Sequence, residues 1–484
     1  MPLVAGVDSS TQSTKVELRD LDTGVVMAQA SASHPPTVPP VSEQDPNAWW
    51  RALVEAMAQI EAPLRSQVAA IAVAAQQHGL VLVDAEGHPV RPAKLWNDTT
   101  AASVASEAVA ACGADRWAQG CGSVPVAAFT VAKVGWAAAN EPDSLAATDK
   151  VMLPHDYLTW RLTGHHVTDR GDASGTGWFD PVTNQYVPEL LGAVVPDPEN
   201  WVERLPRVLG PFEAAGELTT AAAEALGLPP RTLVGPGTGD NMGAALGLGL
   251  ASGDVVISLG TSGTVYAVSP VATHDPTGAV AGFADAAGGF LPLLCTLNAT
   301  GVTDTVAAWM GTDPAGLSDL ALNGDHSGEA PTLIPYFDGE RTPNLPDAAG
   351  TWFGLRRITT REQLARAAHD GVLCSLLEGV NRLRDAGVPV DNGSRLRLIG
   401  GGARSAAYRQ RCADLYGAPI TVPNADEAVA TGAAVQAAVV ASGTDPQAFV
   451  AAWGLGDGEQ VDPLDPRAGE VRDAYRYHQQ RAGA

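Results

Sequence analysis

A strand–turn–strand pattern rich in hydroxyl residues opens the chain and recurs near its middle. Residues 3–7 form a short apolar run, residues 8–15 read Asp-Ser-Ser-Thr-Gln-Ser-Thr-Lys, and an alternating strand pattern follows. Residues 254–268 repeat this arrangement, with a turn of Gly, Ser and Thr between two apolar runs. Two such units, each opening one half of a long chain, predict two related domains that face each other across a cleft.

The length and charge of the chain limit its organisation and its partners. A chain of 484 residues is too long for one core, so we expect an N-terminal domain of residues 1–249 and a C-terminal domain of residues 250–484. The formal net charge is −24. A surface that binds nucleic acid or an anionic membrane must be basic, and this chain offers little material for one. We therefore expect neither nucleic acid nor a membrane as a partner.

Cysteine usage and the N-terminal residues indicate the compartment. The five cysteines are an odd number, and none has the spacing of a zinc site or a CxxC motif. Free thiols in a reducing environment are therefore expected. The N-terminal residues lack the basic region that precedes the apolar stretch of a signal peptide. These features predict a cytoplasmic protein.

The first hydroxyl-rich turn has the chemistry of a phosphate and metal site. Hydroxyl groups and turn N–H groups bind phosphate oxygens, and a carboxylate such as Asp8 can hold Mg²⁺, usually through water. An ordinary Ser/Thr-rich hairpin would have the same composition. The turn alone leaves both interpretations open.

A glycine-rich stretch at residues 235–247 follows the strand-like run at residues 232–234. Its composition changes after Asp240 to small residues that favour a helix, which predicts a strand, a glycine turn and a helix. Asp240 would then lie at the helix start, where the unpaired N–H groups hold a carboxylate ionised. Such a carboxylate could accept a proton from a substrate hydroxyl, or it could simply cap the helix.

A third glycine-rich turn, at residues 400–404, follows the strand pattern of residues 395–399 and precedes a predicted helix at residues 406–416. A strand, glycines and a helix start can present backbone N–H groups to a nucleotide. The turn is not a dinucleotide fingerprint, because the last glycine of GxGxxG is replaced by Ser405. It is not a Walker P-loop either, because no lysine in the chain follows a glycine. A dehydrogenase is therefore disfavoured.

The three turns, in this order, resemble the two phosphate motifs and the adenosine motif of the superfamily that includes sugar kinases, actin and Hsp70. Gly239-Asp240-Asn241 resembles the catalytic-base motif of the FGGY family of carbohydrate kinases. The resemblance implies an α/β fold of two ribonuclease H-like domains, with ATP and Mg²⁺ bound in the cleft between them. It assigns the metal to Asp8 and Asp240, and the nucleotide to Thr11, Gly260, Thr261, Ser262, Gly263, Gly400, Gly401, Gly402, Ala403 and Arg404.

Shorter motifs extend the resemblance to the FGGY members that phosphorylate D-xylulose. Gln76-Gln77-His78-Gly79 resembles their Gln-Met-His-Gly motif, with Gln77 in place of Met, and Leu95-Trp96-Asn97-Asp98 matches well. Thr100 is a departure, since those kinases usually have an arginine there. The resemblance assigns the sugar to Gln77, His78, Trp96, Asp98, Asp240 and Asn241.

The residues alone leave two of these assignments open. A lone histidine after a strand, as at His78, is more often structural, and only the resemblance favours a sugar contact. Trp96 could be a core residue followed by an Asx turn, or it could form a sugar-binding wall.

The resemblance implies transfer of the γ-phosphoryl group of ATP to D-xylulose, with Asp240 as general base. It also implies a homodimer, because many sugar kinases of this family are dimers. Two alternatives remain: an FGGY kinase for ribulose, gluconate or glycerol, and a nucleotide-switch ATPase such as actin or Hsp70. The sugar-like motifs and Gly239-Asp240-Asn241 disfavour the switch.

Overall fold

Each half of the protein is built on one mixed β-sheet flanked by helices, so the predicted α/β fold of two related domains is confirmed. The computed structural model describes residues 2–323, 330–391, 393–424 and 427–482. Within these ranges, no helix is both long enough and apolar enough to cross a membrane.

The N-terminal half begins with a β-hairpin and ends with a short helix. Its strands are β1 (Leu3–Ser9), β2 (Ser13–Asp20), β3 (Val26–Ser33), β4 (Glu43–Gln44), β5 (Val68–Ala75), β6 (Val81–Val83), β7 (Ala93–Lys94), β8 (Lys150–Met152), β9 (Val167–Asp169), β10 (Phe179–Asp180), β11 (Gln185–Tyr186), β12 (Arg207–Leu209), β13 (Gly216–Glu217), β14 (Leu233–Val234) and β15 (Thr238–Gly239). Its helices are α1 (Pro46–Ala58), α2 (Ala62–Arg65), α3 (Ala102–Cys112), α4 (Ala114–Cys121), α5 (Thr130–Asn140), α6 (Pro142–Ala146), α7 (Pro154–Thr163), α8 (Arg170–Ala173), α9 (Pro188–Leu191), α10 (Pro198–Val202), α11 (Thr220–Leu226) and α12 (Asp240–Gly247).

The C-terminal half also begins with a β-hairpin. Its strands are β16 (Val255–Leu259), β17 (Gly263–Ala267), β18 (Ala281–Ala284), β19 (Phe290–Thr296), β20 (Thr332–Ile334), β21 (Thr351–Phe353), β22 (Leu396–Ile399), β23 (Ile420–Pro423) and β24 (Gly458–Val461). Its helices are α13 (Thr300–Trp309), α14 (Pro314–Asn323), α15 (Arg361–Asp385), α16 (Ala406–Tyr416), α17 (Ala428–Ser442), α18 (Pro446–Ala452) and α19 (Ala468–Ala482), with a 3₁₀ turn at Gly401–Arg404.

The two main sheets share one plan. The first has the order β13-β14-β5-β1-β2-β3, and β15 also pairs with β5. The second has the order β18-β19-β17-β16-β22-β23-β24. In each sheet the opening strand is antiparallel to the next strand and parallel to a later one, β5 beside β1 and β22 beside β16. The recurrence seen in the sequence is therefore a recurrence of topology.

Local sequence explains where the long elements begin. Every residue of β1 is buried, as expected for an apolar run in the centre of a sheet. Helix α1 begins after Asp45, whose side chain accepts a hydrogen bond from the N–H of Asn47. Helix α15 begins with a capping box between Thr360 and Gln363, and its buried face lies in the C-terminal core.

Helix α17 is in backbone contact with the N-terminal sheet, although it belongs to the C-terminal half of the sequence. A Cβ atom added at Gly6 in β1 would lie 1.9 Å from the carbonyl oxygen of Ala430. One added at Gly432 would lie 1.9 Å from the carbonyl oxygen of Gly243 in α12. Only glycine permits this approach. A helix from the C-terminal half of the sequence is therefore packed directly on the N-terminal sheet.

Candidate active site

The polar turns of the N-terminal half meet at one edge of its sheet. Strands β1, β5 and β15 run parallel and end side by side, because Ser9 pairs with Ala75 and Ala75 pairs with Gly239. The residues that follow these strands are the first hydroxyl-rich turn, the Gln77-His78 stretch and Asp240. The register of three strands thus gathers predicted phosphate and sugar residues from distant parts of the sequence.

The other two turns meet in the same way in the C-terminal half. Strands β16 and β22 run parallel, with Ser258 opposite Ile399, so the turns after them are neighbours. A Cβ atom at Gly400, which has φ +87°, would lie 2.6 Å from the carbonyl oxygen of Leu259. Both the backbone conformation and this close contact therefore require a glycine at position 400.

Residues of both halves line a cleft of about 400 Å³. Its walls include apolar side chains such as Phe129 and Phe283. The polar groups that line it are Gln77, His78, Asp240, Asn241, Ser262, Thr264, Thr296, Arg341 and Thr342. A largely apolar cavity with a few convergent polar groups is typical of a small-molecule site.

Asp240 is the first residue of α12, and its carboxylate is held toward the cleft by its neighbours. Oδ1 accepts hydrogen bonds from the backbone N–H of Asn241 at 2.7 Å and from the Asn241 side chain at 2.9 Å. Asn241 Nδ2 also donates to Gln77 Oε1 at 2.8 Å. The N-cap position belongs to Gly239, so Asp240 is not simply a helix cap.

The protonation properties of Asp240 suit a general base. Burial raises the pKa of Asp240 to about 6, and the hydrogen bonds from Asn241 act in the opposite direction. The carboxylate is therefore mostly ionised at neutral pH, yet its pKa lies close enough to the working pH for proton transfer in both directions.

Trp96 forms part of the cleft wall. Its side chain is one of the exposed large hydrophobic groups of the protein, so it is not the core tryptophan that the sequence left possible. Its Nε1 donates to Thr11 Oγ1 at 3.0 Å, and Thr11 Oγ1 in turn donates to Gln76 Oε1 at 3.0 Å. Trp96, the predicted sugar-binding wall, is thus hydrogen-bonded to the first hydroxyl-rich turn.

His78 lines the cleft as a neutral imidazole. Its ring stacks on Phe129, with centroids 5.0 Å apart and an interplanar angle of 13°. Burial lowers the pKa of His78 to about 3, and the nearby charges of Lys133 and Arg341 act in the same direction. A neutral imidazole can both donate and accept a hydrogen bond, which suits a hydroxyl ligand.

Asp98 is the one predicted sugar residue that the structure places away from the cleft. Its side chain is fully buried, and its oxygens accept hydrogen bonds from Lys94 Nζ at 3.1 Å and from the N–H of Ser42 at 3.0 Å. It also accepts from the N–H and the hydroxyl of Thr100. Because these donors occupy its carboxylate, Asp98 stabilises the loop that presents Trp96 to the cleft. Thr100, at the position of the usual arginine, belongs to the same network.

Asp8 has the properties expected of a group that meets a cation. Its Oδ1 is buried and accepts no hydrogen bond from the described residues. Burial raises the pKa of Asp8 to about 7, and the charge of Asp240 adds to the effect while Lys15 opposes it. The described residues contain no group of three or more His, Cys, Asp or Glu side chains that could hold a metal. A cation held by Asp8 could take phosphate oxygens and water as its other ligands.

The second and third turns differ in which of their residues are available to a ligand. Gly260, Thr261 and Ser262 are exposed at the turn, whereas Gly263 is buried against Leu376 and Thr296. In the third turn Gly400, Gly401 and Arg404 are exposed, and a Cβ atom at Gly401 would meet no atom within 4 Å. Gly402 and Ala403 are buried and fix the shape of the turn.

Two cationic residues at or behind the cleft, Arg341 and Lys133, had no predicted chemical role. Arg341 lines the cleft from the C-terminal half. Its loop is held by Glu340, which accepts hydrogen bonds from Leu297 N and Asn298 Nδ2. Lys133 lies behind His78, and its Nζ donates a hydrogen bond to the His78 carbonyl oxygen. Only the fold shows what these two side chains touch.

The two sheets, the three turns and the buried carboxylates define a two-domain kinase of the actin and Hsp70 type. The N-terminal domain of the FGGY family of carbohydrate kinases matches residues 3–247, and its C-terminal domain matches residues 255–441. The protein belongs to the FGGY family of carbohydrate kinases, and it is an ATP-dependent sugar kinase.

Its relatives and solved neighbours agree with this assignment. The chain is 47% identical to the xylulose kinase of Streptomyces rubiginosus, covering 98% of this chain and 96% of that protein. It is 33% identical to the xylulose kinase of Escherichia coli K12, and the match covers 97% of this chain and 98% of that protein. The crystal structure of xylulose kinase from Bifidobacterium adolescentis is similar, with a TM-score of 0.87, 40% identity and 99% of each chain covered. The fold is also that of Plasmodium falciparum glycerol kinase with ADP, at a TM-score of 0.88, 19% identity and coverage of 100% and 98%.

Proposed function

We propose that this protein transfers the γ-phosphoryl group of ATP to the primary C5 hydroxyl of D-xylulose, giving D-xylulose 5-phosphate. The observation that carries the proposal is the hydrogen-bonded chain Asp240–Asn241–Gln77 beside His78 in the cleft. It supports the proposal because a carboxylate then lies beside side chains that are able to bind hydroxyl groups. The similarity to relatives named xylulose kinase over nearly the whole chain supports D-xylulose as the sugar.

In this reaction Asp240 orients the sugar hydroxyl and accepts its proton as the new P–O bond forms. Gln77, His78 and Asn241 hold the other hydroxyls, and Trp96 covers the carbon chain. The exposed N–H and hydroxyl groups of residues 260–262, with Thr11, stabilise the phosphoryl group being transferred. Gly400, Gly401 and Arg404 face the adenosine. Closure of the cleft around both substrates excludes water, which would otherwise accept the phosphoryl group.

Mg²⁺ is the expected metal. Asp8 would hold it with Asp240 nearby, and the free oxygen of Asp8 fits this role. When bound, Mg²⁺ neutralises charge on the ATP phosphates. We also propose a cytoplasmic location and a homodimer. The absence of a disulfide among the five cysteines is compatible with a reducing compartment.

A substrate panel tests the proposed sugar. ADP release from MgATP is measured with D-xylulose, L-xylulose, D-ribulose, glycerol and gluconate. We expect D-xylulose to give the highest kcat/KM. A higher kcat/KM for another polyol would show that this polyol is the substrate and would leave the proposed mechanism unchanged. Slow ATP hydrolysis that none of these compounds stimulates would instead indicate a nucleotide-switch ATPase.

The pH profile tests Asp240 as the base. Because burial raises the pKa of Asp240 to about 6, we expect kcat/KM for the sugar to fall as the pH drops through that value. Protonation of Asp8, with a pKa of about 7, should weaken metal binding over a neighbouring range. Raising the Mg²⁺ concentration should therefore move the Asp8 limb of the profile to lower pH. A flat profile from neutral pH to about pH 5 would contradict the assignment.

A further inference from the structure

Lys133 is a lysine with no exposed surface, and its ammonium group is held by backbone carbonyls. Its Nζ donates to the carbonyl oxygen of His78 at 2.8 Å and to that of Ala128. Among the described residues, no carboxylate lies within ion-pair distance of it. Burying a charge without a counter-ion is unfavourable, so the hydrogen bonds of Lys133 must offset the free energy of desolvation.

The carbonyl that Lys133 holds belongs to a residue in an unusual backbone conformation. His78 has φ +65°, in the left-handed region that residues other than glycine seldom adopt. Thr130 Oγ1 donates to the same carbonyl oxygen at 3.2 Å. Thr130 and Lys133 are three residues apart on α5, so they lie on the same face of the helix and converge on one atom.

The backbone conformation of His78 determines where its imidazole ring lies. The ring is stacked on Phe129, and its Cε1–Nδ1 edge lies against Gly175. A Cβ atom at Gly175 would come within 2.4 Å of the ring carbon Cε1. The ring has no room to follow a change in the backbone without losing its place in the cleft.

Burial lowers the pKa of Lys133 to about 7, with Asp98 opposing the effect and Lys94 adding to it. Its contacts with the two carbonyls do not depend on the charge, because a neutral amine also donates hydrogen bonds. The position of His78 is therefore held on both sides of neutral pH.

We propose that Lys133 is a positioning residue for sugar recognition: by holding the carbonyl of His78, it keeps that backbone left-handed and the imidazole aimed into the cleft. The inference rests on the proposed function, in which His78 binds the sugar. Lys133 does not touch the substrate and acts only through His78. This separates it from an ordinary buried lysine, whose loss would disturb the whole domain.

A double-mutant cycle distinguishes these two roles. The sugar KM, the ATP KM and kcat are measured for wild type, Lys133→Met, His78→Ala and the double variant. Loss of this buried hydrogen bond should raise the KM for D-xylulose about tenfold in Lys133→Met, with the ATP KM unchanged. In the His78→Ala background the same substitution should change the sugar KM by less than about twofold. The proposal would be overturned if Lys133→Met raised the sugar KM equally in the wild-type and His78→Ala backgrounds, or raised it in neither.

A second measurement needs no sugar. Protein labelled with ¹³C at the histidine carbonyls gives a His78 signal, which is assigned by its loss in His78→Ala. Lys133→Met should shift this signal, because the carbonyl loses its strongest donor and the backbone relaxes. An unmoved signal would refute the proposal even if D-xylulose proved to be the wrong sugar. A shifted signal in a protein without xylulose activity would refute the proposed function alone.

Thr130→Val is the milder companion variant. It removes the longer of the two side-chain donors to the His78 carbonyl, keeps nearly the same shape and leaves the lysine in place. We expect a smaller shift of the same carbonyl signal and a smaller rise in the sugar KM. If Lys133→Met does not fold, as judged by thermal unfolding, Thr130→Val decides the question, and an unchanged signal and KM would overturn the proposal.

Discussion

Asp240→Asn is expected to lower kcat for sugar phosphorylation by about 10²–10⁴-fold, the usual contribution of a general acid or base. The substitution preserves the shape of the side chain and the hydrogen bond that its Oδ1 accepts from Asn241. It removes the charge that accepts the proton. The effect should therefore appear in kcat, measured as sugar-dependent ADP release, and less in the KM for the sugar.

Binding of the nucleotide should survive in Asp240→Asn. The turn proposed to face the adenosine follows β22 in the C-terminal half of the protein, and Asp240 begins α12 in the N-terminal half. ADP affinity, measured by calorimetry, should match that of wild type. Asp22→Asn, at an exposed turn, provides the matched control and should keep wild-type turnover. Wild-type kcat in Asp240→Asn would show that another group accepts the proton.

Gly432→Ala is expected to destabilise the protein by about 3 kcal/mol or more, at or beyond the upper end of overpacking effects. The added Cβ atom would lie 1.9 Å from the carbonyl oxygen of Gly243 and 3.0 Å from the N atom of Gly247. Both neighbours are backbone atoms, so no side-chain rotation can relieve the overlap. Helices α12 and α17 would have to separate, and α12 carries Asp240 at its start.

The measurement is thermal or urea unfolding of Gly432→Ala beside a glycine substitution in open space. Gly469→Ala is suitable, because a Cβ atom there would meet no atom within 4 Å and the residue lies in α19. Alanine favours helix more than glycine, so this control should be as stable as wild type or slightly more stable. Equal unfolding midpoints for both variants would contradict the close packing of α12 on α17.

The sequence predicted those elements whose ends are set by neighbouring residues, such as helix caps and the turns that follow apolar strands. The helix at residues 406–416 has the predicted bounds, since Ser405 caps it and Gly417 ends it in the left-handed conformation. The two hairpins and the position of Asp240 at the start of a helix follow from apolar runs that end in glycine or hydroxyl residues. The family motifs then added the function, which no single turn could establish.

Other features depend on contacts between distant residues, and the sequence did not contain a local signal for them. The motif around Trp96 predicted a sugar contact for Asp98, but the buried partner Lys94 occupies its carboxylate. Helix α17 reads as part of the C-terminal half, yet it packs on β1 through Gly6. The contact of Lys133 with the carbonyl of His78 joins residues 55 positions apart and is visible only in the fold.

The most direct test of the account is the ³¹P NMR spectrum of the wild-type protein incubated with MgATP and D-xylulose. We predict that the γ-phosphate signal is replaced by a phosphomonoester signal split into a triplet by the two protons of a CH₂ group. [5-¹³C]xylulose should add a carbon coupling that identifies C5. Inorganic phosphate as the only new signal, or no change in the presence of D-xylulose, would contradict the proposed transfer.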